Sequence, residues 1–370
     1  MLPALPIAFG VFGMVWGAWQ AVLPDLAGRF GLSSGPLGAI LTAGFAVSLP
    51  AMLATGRLLD RAGTGRGMAI TASLMAAGLA VVGILGPLPL LIIGTVLFVV
   101  GSGAFDVAIN GAALADQTWS RPARLTLLHA AFSGGGLLGA VGAGALVGGV
   151  GVPFRLVYPV VAVALIGAAV LAATAGWQRV RSEGAVPRAI ALAMVPLAGL
   201  AGLAFLVEGS METWSAIYLR DVLGAAAFVG ALGPGAFHAA MLVGRLIGVG
   251  VAGSLGAPAT LLVSGTMTLG GMVVALLVEE PVVAIVGMAI AALGVSFVVP
   301  VVVSLAGLRA GPHSGRAASY VLTLGYAGFL VGPSLVGFLG ELAGLRVALA
   351  VIPVAATLIV LASRSRAARG

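Results

Sequence analysis

Three carboxylates stand where carboxylates are costly. Asp106, Glu208 and Glu212 all fall inside long apolar runs. An ionisable side chain at mid-membrane depth costs about 2.5–3.5 kcal/mol on insertion scales. A chain with only 8% charged residues that carries three of them there has a use for them. Asp106 and Asn110 are four residues apart and share one helical face. An amide donates to an ionised carboxyl and accepts from a neutral one, so this pair is suited to load and release a proton. Glu208 and Glu212 lie one turn apart, on a stripe with Met211 and Ser215. They are candidate solute ligands, although Glu212 and Trp214 also fit an interfacial acid and an aromatic belt. Trp214 lies about 120° off that stripe on an ideal helix and joins it only if the chain unwinds at Gly209. Trp16, Trp19 and Gln20, at i, i+3 and i+4, suit the apolar face and hydroxyl edge of a sugar ring, or else helix packing. His238 is central in its run, and two readings stay open: a solute or proton ligand, or a hydrogen-bonded packing residue.

The elements that position these groups follow from composition. Of 370 residues 61% are hydrophobic, and 58 more are glycine. The mean hydropathy is +1.19. This excludes a soluble globular chain and a disordered one. Continuous apolar runs, without strict alternation, also argue against a transmembrane barrel. Breaking the chain at Arg, Pro and Gly clusters predicts spans at 4–27, 36–59, 67–86, 88–115, 124–148, 155–177, 190–219, 225–251, 258–278, 282–308, 316–340 and 346–362. The expected fold is an all-α polytopic membrane protein of twelve transmembrane helices in two pseudo-symmetric six-helix bundles. The first bundle covers 1–177, a polar cytoplasmic linker 178–189, and the second bundle 190–370. Met1 to Leu23 reads as a retained first helix, since no basic residue precedes Arg29.

The net charge of +7 comes from 18 arginines and no lysine, spread over helix ends. This is a topogenic pattern and not a phosphate-binding stripe, so no nucleic-acid partner is expected. Counting Arg245 with the loops, fourteen arginines fall on one side and four (Arg29, Arg155, Arg220, Arg346) on the other. That places both termini in the cytoplasm and the chain in the cell (cytoplasmic or inner) membrane. Trp19-Gln20-Ala21-Val22 resembles Trp214-Ser215-Ala216-Ile217, and Gly56-Arg57-Leu58-Leu59 resembles Gly244-Arg245-Leu246-Ile247. The intervals differ by seven residues, so the repeat is gapped.

Gly56-Arg57-Leu58-Leu59-Asp60-Arg61-Ala62-Gly63-Thr64-Gly65-Arg66 resembles the G-x-x-x-D-R-x-G signature of the major facilitator superfamily. The resemblance implies a conformational latch made by Gly56, Asp60, Arg61, Gly63 and Arg66. The family often has a basic residue straight after the second glycine, where this chain has Thr64. Asp116 is the expected partner of Arg57, Arg61 or Arg66. The stretch from Gly101 to Asn110 (GSGAFDVAIN) is similar to the fucose permease-like branch, as is Glu208 followed six residues later by Trp214. In that branch the acid at the Asp106 position is tied to proton coupling. The resemblance implies a secondary transporter that rocks two bundles around a midplane cavity, in symport of protons with a sugar, polyol or similar small polar solute. A proton-driven exporter of amphipathic compounds is the alternative.

Other classes lack their residues. There is no cysteine, and the three histidines have no metal spacing. Ser133-Gly134-Gly135-Gly136 lacks the Lys-Ser/Thr of a phosphate loop and reads as close helix packing, so no nucleotide partner is expected. No paired-acid metal motif for a lipid-linked transferase is present, so neither an enzyme, a cofactor nor a metal site is expected. The partners are the solute, protons and the bilayer, and the chain is expected to act as a monomer.

Overall fold

The structure is a computed structural model that describes residues 4–84, 86–116, 122–175, 177, 187–365 and 368. Most of the expected linker, including Arg179 and Arg181, lies outside the described residues, as does Arg121. Lipid offers no partner to backbone N–H and C=O groups, so long apolar runs must satisfy them internally as helices. Twelve helical segments are long and apolar enough to cross a membrane, and the described residues contain no strand. They are α1 (Ala4–Phe30), α2 (Ser34–Ala62), α3 (Thr64–Gly83), α4 (Leu88–Ala115), α5 (Pro122–Gly144) and α6 (Val157–Thr174) in the first half. The second half has α7 (Arg188–Ile217), α8 (Ala227–Leu255), α9 (Ala257–Leu277), α10 (Pro281–Ala310), α11 (Ser314–Ala343) and α12 (Leu345–Ala362).

The chain divides into two compact units. One is Met1–Ser182 with Ala226–Gly235, and the other Glu183–Ala225 with Ala236–Gly370. The short stretch at the start of α8 therefore belongs with the first unit, where Ala231 lies against Gly144, the last residue of α5, and Phe228 against Gly148 in the wider helical turn Ala145–Gly149 that follows it.

The two units repeat one packing scheme. In the first, α1 packs on α5, α3 on α4 and α3 on α6; in the second, α7 packs on α11, α9 on α10 and α9 on α12. Small residues set the leading seam in each. A methyl group at Gly13 would overlap the Phe132 carbonyl, and one at Gly17 the Gly136 carbonyl. Gly135 approaches Gly10 in the same way, so the glycine run of α5 is where α1 and α5 touch. In the second unit Gly328 sits against the Gly202 carbonyl and Gly332 against Leu206. Without glycine the backbones could not approach this closely.

A further seam is repeated with its roles exchanged. Gly103 of α4 faces Ser48 of α2, whereas Gly244 of α8 faces Ser296 of α10. α10 is broken there: one helical piece ends at Val295 and the next starts at Val298. Pro300, four residues after Ser296, has no N–H to offer the Ser296 carbonyl.

The connection between α2 and α3 is a single residue, Gly63, at φ +85°, and that between α8 and α9 is Gly256 at φ +73°. A side chain is strained in this region, so glycine is required at both. This corrects the register of the sequence repeat. Gly56 lies seven residues before Gly63, and the position seven before Gly256 is 249, not Gly244.

Candidate transport site

In the first unit α4 carries Asp106 and Asn110 on one half-buried face. The Asn110 amide Nδ2 donates to Asp106 Oδ1 at 2.9 Å and to the Asp106 carbonyl at 2.9 Å. The acid is thus held by a neutral group one turn away. Trp16, half-buried on α1, donates from Nε1 to Ser102 Oγ at 3.0 Å, one turn before Asp106 on α4. Trp19 is committed to packing: its ring stacks on Phe98 at 4.6 Å and tilts against Tyr158 at 5.8 Å. Gln20 is buried beside it.

In the second unit Glu208 and Glu212 are each 6% exposed on α7. Glu208 Oε2 lies 3.9 Å from Arg245 of α8, and Glu212 is within electrostatic reach of the same guanidinium. His238, fully buried, is two turns before Arg245 on α8. The structure brings Glu208, Glu212 and His238 into one charged neighbourhood. Arg245 is its missing member, since counting it among loop arginines overlooked it. The signal was present: Arg245 lies six residues inside the predicted span 225–251, and the structure keeps it inside the apolar stretch Ala227–Gly248.

Trp214 does not join this group. α7 is continuous through Gly209, which packs against the Phe329 carbonyl with no unwinding. Trp214 is fully buried and donates from Nε1 to the Pro333 carbonyl of α11 at 3.1 Å. It secures a helix seam. Sequence reasoning also passed over three aromatic rings near Glu208. Phe205, one turn before it on α7, meets Tyr326 of α11 edge-on at 6.0 Å, and Phe329 stacks on Tyr326 at 5.6 Å.

The signature loop is laid out as a hinge at Gly63 with Arg57, Asp60, Arg61 and Arg66 exposed around it. None of these four forms an ion pair with a described residue, so the expected pairing of Asp116 with Arg57, Arg61 or Arg66 is not made in this structure. Gly56 packs against nothing within reach of a methyl group. The start of α3 is anchored instead by Gly65, which touches the Trp177 ring and the Ala172 carbonyl of α6. No group of three or more His, Asp or Glu able to hold a metal occurs among the described residues.

Twelve helices able to cross a membrane, a six-helix packing scheme present in both units and charged groups inside each define a polytopic helical membrane protein. The profile of the Major Facilitator Superfamily matches residues 5–312, and the chain belongs to that family. An uncharacterized MFS-type transporter of Yersinia pestis is 29% identical over 98% of this chain and 94% of its own length. Among solved structures, the nucleoside transporter NupG has a TM-score of 0.74 at 11% identity, covering 97% of this chain and 96% of that one. A point mutant of the E. coli fucose:proton symporter FucP has a TM-score of 0.66 at 16% identity, covering 98% and 97%. At these identities the likeness is one of fold.

Proposed function

We propose that the protein is a proton-coupled symporter of a small polar solute of sugar or polyol type, working by alternating access in the cell membrane. The observation that carries this reading is the Asp106–Asn110 pair inside α4. A half-buried carboxyl inside a helix bundle is served by a partner in both protonation states. Asn110 supplies a donor for the ionised form and, after rotation of its amide, an acceptor for the neutral form. The resemblance of Gly101–Asn110 to the fucose permease-like branch supports the same role. Glu208, Glu212 and His238 are assigned to the solute, with Arg245 as the counter-charge of the two acids. Trp16 and Gln20 remain candidates on the first unit, whereas the packing of Trp19 and Trp214 speaks for structural roles. Asp60, Arg61 and Arg66 are assigned to the latch, which acts on conformational balance and not on binding.

Asp106→Asn mimics the proton-loaded state and should uncouple transport. In proteoliposomes, solute counterflow is expected to persist while accumulation driven by a pH gradient disappears. Full gradient-driven accumulation by this variant would refute the assignment.

A further inference from the structure

The first turn of α3 is a thin wedge gripped from two sides. It reads Gly63-Thr64-Gly65-Arg66-Gly67, and Gly65 and Gly67 stand about 200° apart around the helix. A methyl group at Gly67 would overlap the Leu59 side chain of α2. One at Gly65 would lie 2.9 Å from Cδ1 of the Trp177 ring and 2.8 Å from the Ala172 carbonyl of α6. Leu59, Gly65 and Gly67 are all buried. One face of the turn is thus held by α2, on the far side of the Gly63 hinge, and the other by Trp177.

Trp177 lies beyond the helix it serves, since α6 ends at Thr174. Its indole Nε1 turns back to donate to the Ala172 carbonyl at 2.6 Å, which the Ala175 N–H reaches at 3.3 Å. Carbonyls in the last turn of a helix lack a donor from the helix itself, so this bond caps α6 and fixes the ring beside Gly65. Thr64, at the place where the family often has a basic residue, is 4% exposed. A cation there would be held away from water. The chain continues from Trp177 straight into the polar linker that leads to α7.

We infer that Trp177 is a positioning residue of the latch. It holds the first turn of α3 against α6, and Arg66 is carried by that turn. Asp60 and Arg61 are carried by α2, across Gly63. Trp177 therefore sets one half of the latch relative to the other. Without the indole the turn is free to tilt at Gly63, and the balance between the alternating states shifts. Solute does not meet Trp177 in this role. The role rests on the latch assignment above and adds to it a residue that lies 111 positions beyond Arg66 in the chain.

The test is double electron–electron resonance on the full-length protein in lipid nanodiscs. The chain has no cysteine, so Leu53→Cys on α2 and Leu308→Cys on α10, both strongly exposed, take spin labels without background. The labels report the ratio of the two distance populations. Trp177→Ala is expected to change that ratio by about fivefold or more, the lower end of ordinary coupling between sites. Trp177→Phe keeps a ring beside Gly65 and is expected to restore most of the native ratio. Gly65→Ala, whose methyl meets the indole, should reproduce the effect of Trp177→Ala and stands in for it if that variant fails to fold. A lowered melting temperature with an unchanged ratio in the folded variants would overturn the positioning role and leave Trp177 to packing alone. Full additivity of Trp177→Ala with Asp60→Asn would overturn it as well, because parts of one latch do not act independently. An unmoved ratio in Asp60→Asn would remove the latch itself, and the part of Trp177 with it. A ratio moved by Asp60→Asn and not by Trp177→Ala would remove Trp177 alone.

Discussion

Arg245 changes the meaning of the residues around it. Removing one partner of a buried ion pair leaves an uncompensated charge, which typically costs about 3–5 kcal/mol. Arg245→Leu should therefore lower thermal stability in detergent by an amount of that order, because Glu208 and Glu212 lose their shared counter-charge. Adding Glu208→Gln should recover part of the loss, since one of the stranded charges is then gone. Strict additivity of the two changes would show that the side chains act independently. The intramembrane acids were legible in sequence because charge is so scarce in this chain. The arginine was not read as theirs, because a Gly-Arg pair near a helix end matches the positive-inside pattern as well as it matches an ion pair. Only the neighbour across the helix interface separates the two cases. Trp214 shows the same limit. Its position in the chain is compatible with a belt, a solute or a seam, and the choice is made by the Pro333 carbonyl, 119 residues away.

At the scale of helices, glycine content translates into distance. A Cβ at Gly17 or Gly328 meets a backbone carbonyl that cannot move aside, while one at Gly142 meets nothing within 4 Å. Gly17→Val and Gly328→Val should each prevent normal packing of their bundle, with losses at or above the roughly 1–3 kcal/mol usual for overpacking. Gly142→Ala should be neutral or gain up to about 1 kcal/mol from helix propensity. Size-exclusion profiles and melting temperatures in one detergent compare the three. Helix number and approximate limits were readable from apolar runs and punctuation, since lipid leaves the backbone few alternatives. The α10 break at Ser296 was not anticipated: a single Pro300 inside an apolar run can bend a helix or be absorbed by it.

For the molecule as a whole, twelve spans return the chain to the side it started from. With Arg245 removed from the loop count the arginine asymmetry still stands at thirteen to four, which continues to favour cytoplasmic termini. Reporter fusions at the C-terminus should accordingly read cytoplasmic, and a reporter placed after Val150 periplasmic. The opposite pattern would invert the assignment of the Asp60 loop to the cytoplasmic face. The internal repeat was visible in sequence but misregistered. Tryptophans and glycines recur often enough here to align by composition, whereas the two positive-φ glycines, Gly63 and Gly256, mark the true correspondence.

The exchanged seam bears on how such a chain can change over time. Gly103 against Ser48 in one bundle and Gly244 against Ser296 in the other place one hydroxymethyl in one gap, supplied from opposite walls. What is maintained is the filled volume of the crevice and not the residue at either address. Under the correspondence of Gly63 with Gly256, Gly103 falls opposite Ser296, whereas Ser48 falls opposite Met241 and not Gly244, so only the α4–α10 wall is exchanged position for position. A methyl gained at Gly103 is then accommodated only if Ser48 gives up its hydroxymethyl, and one gained at Gly244 only if Ser296 does the same.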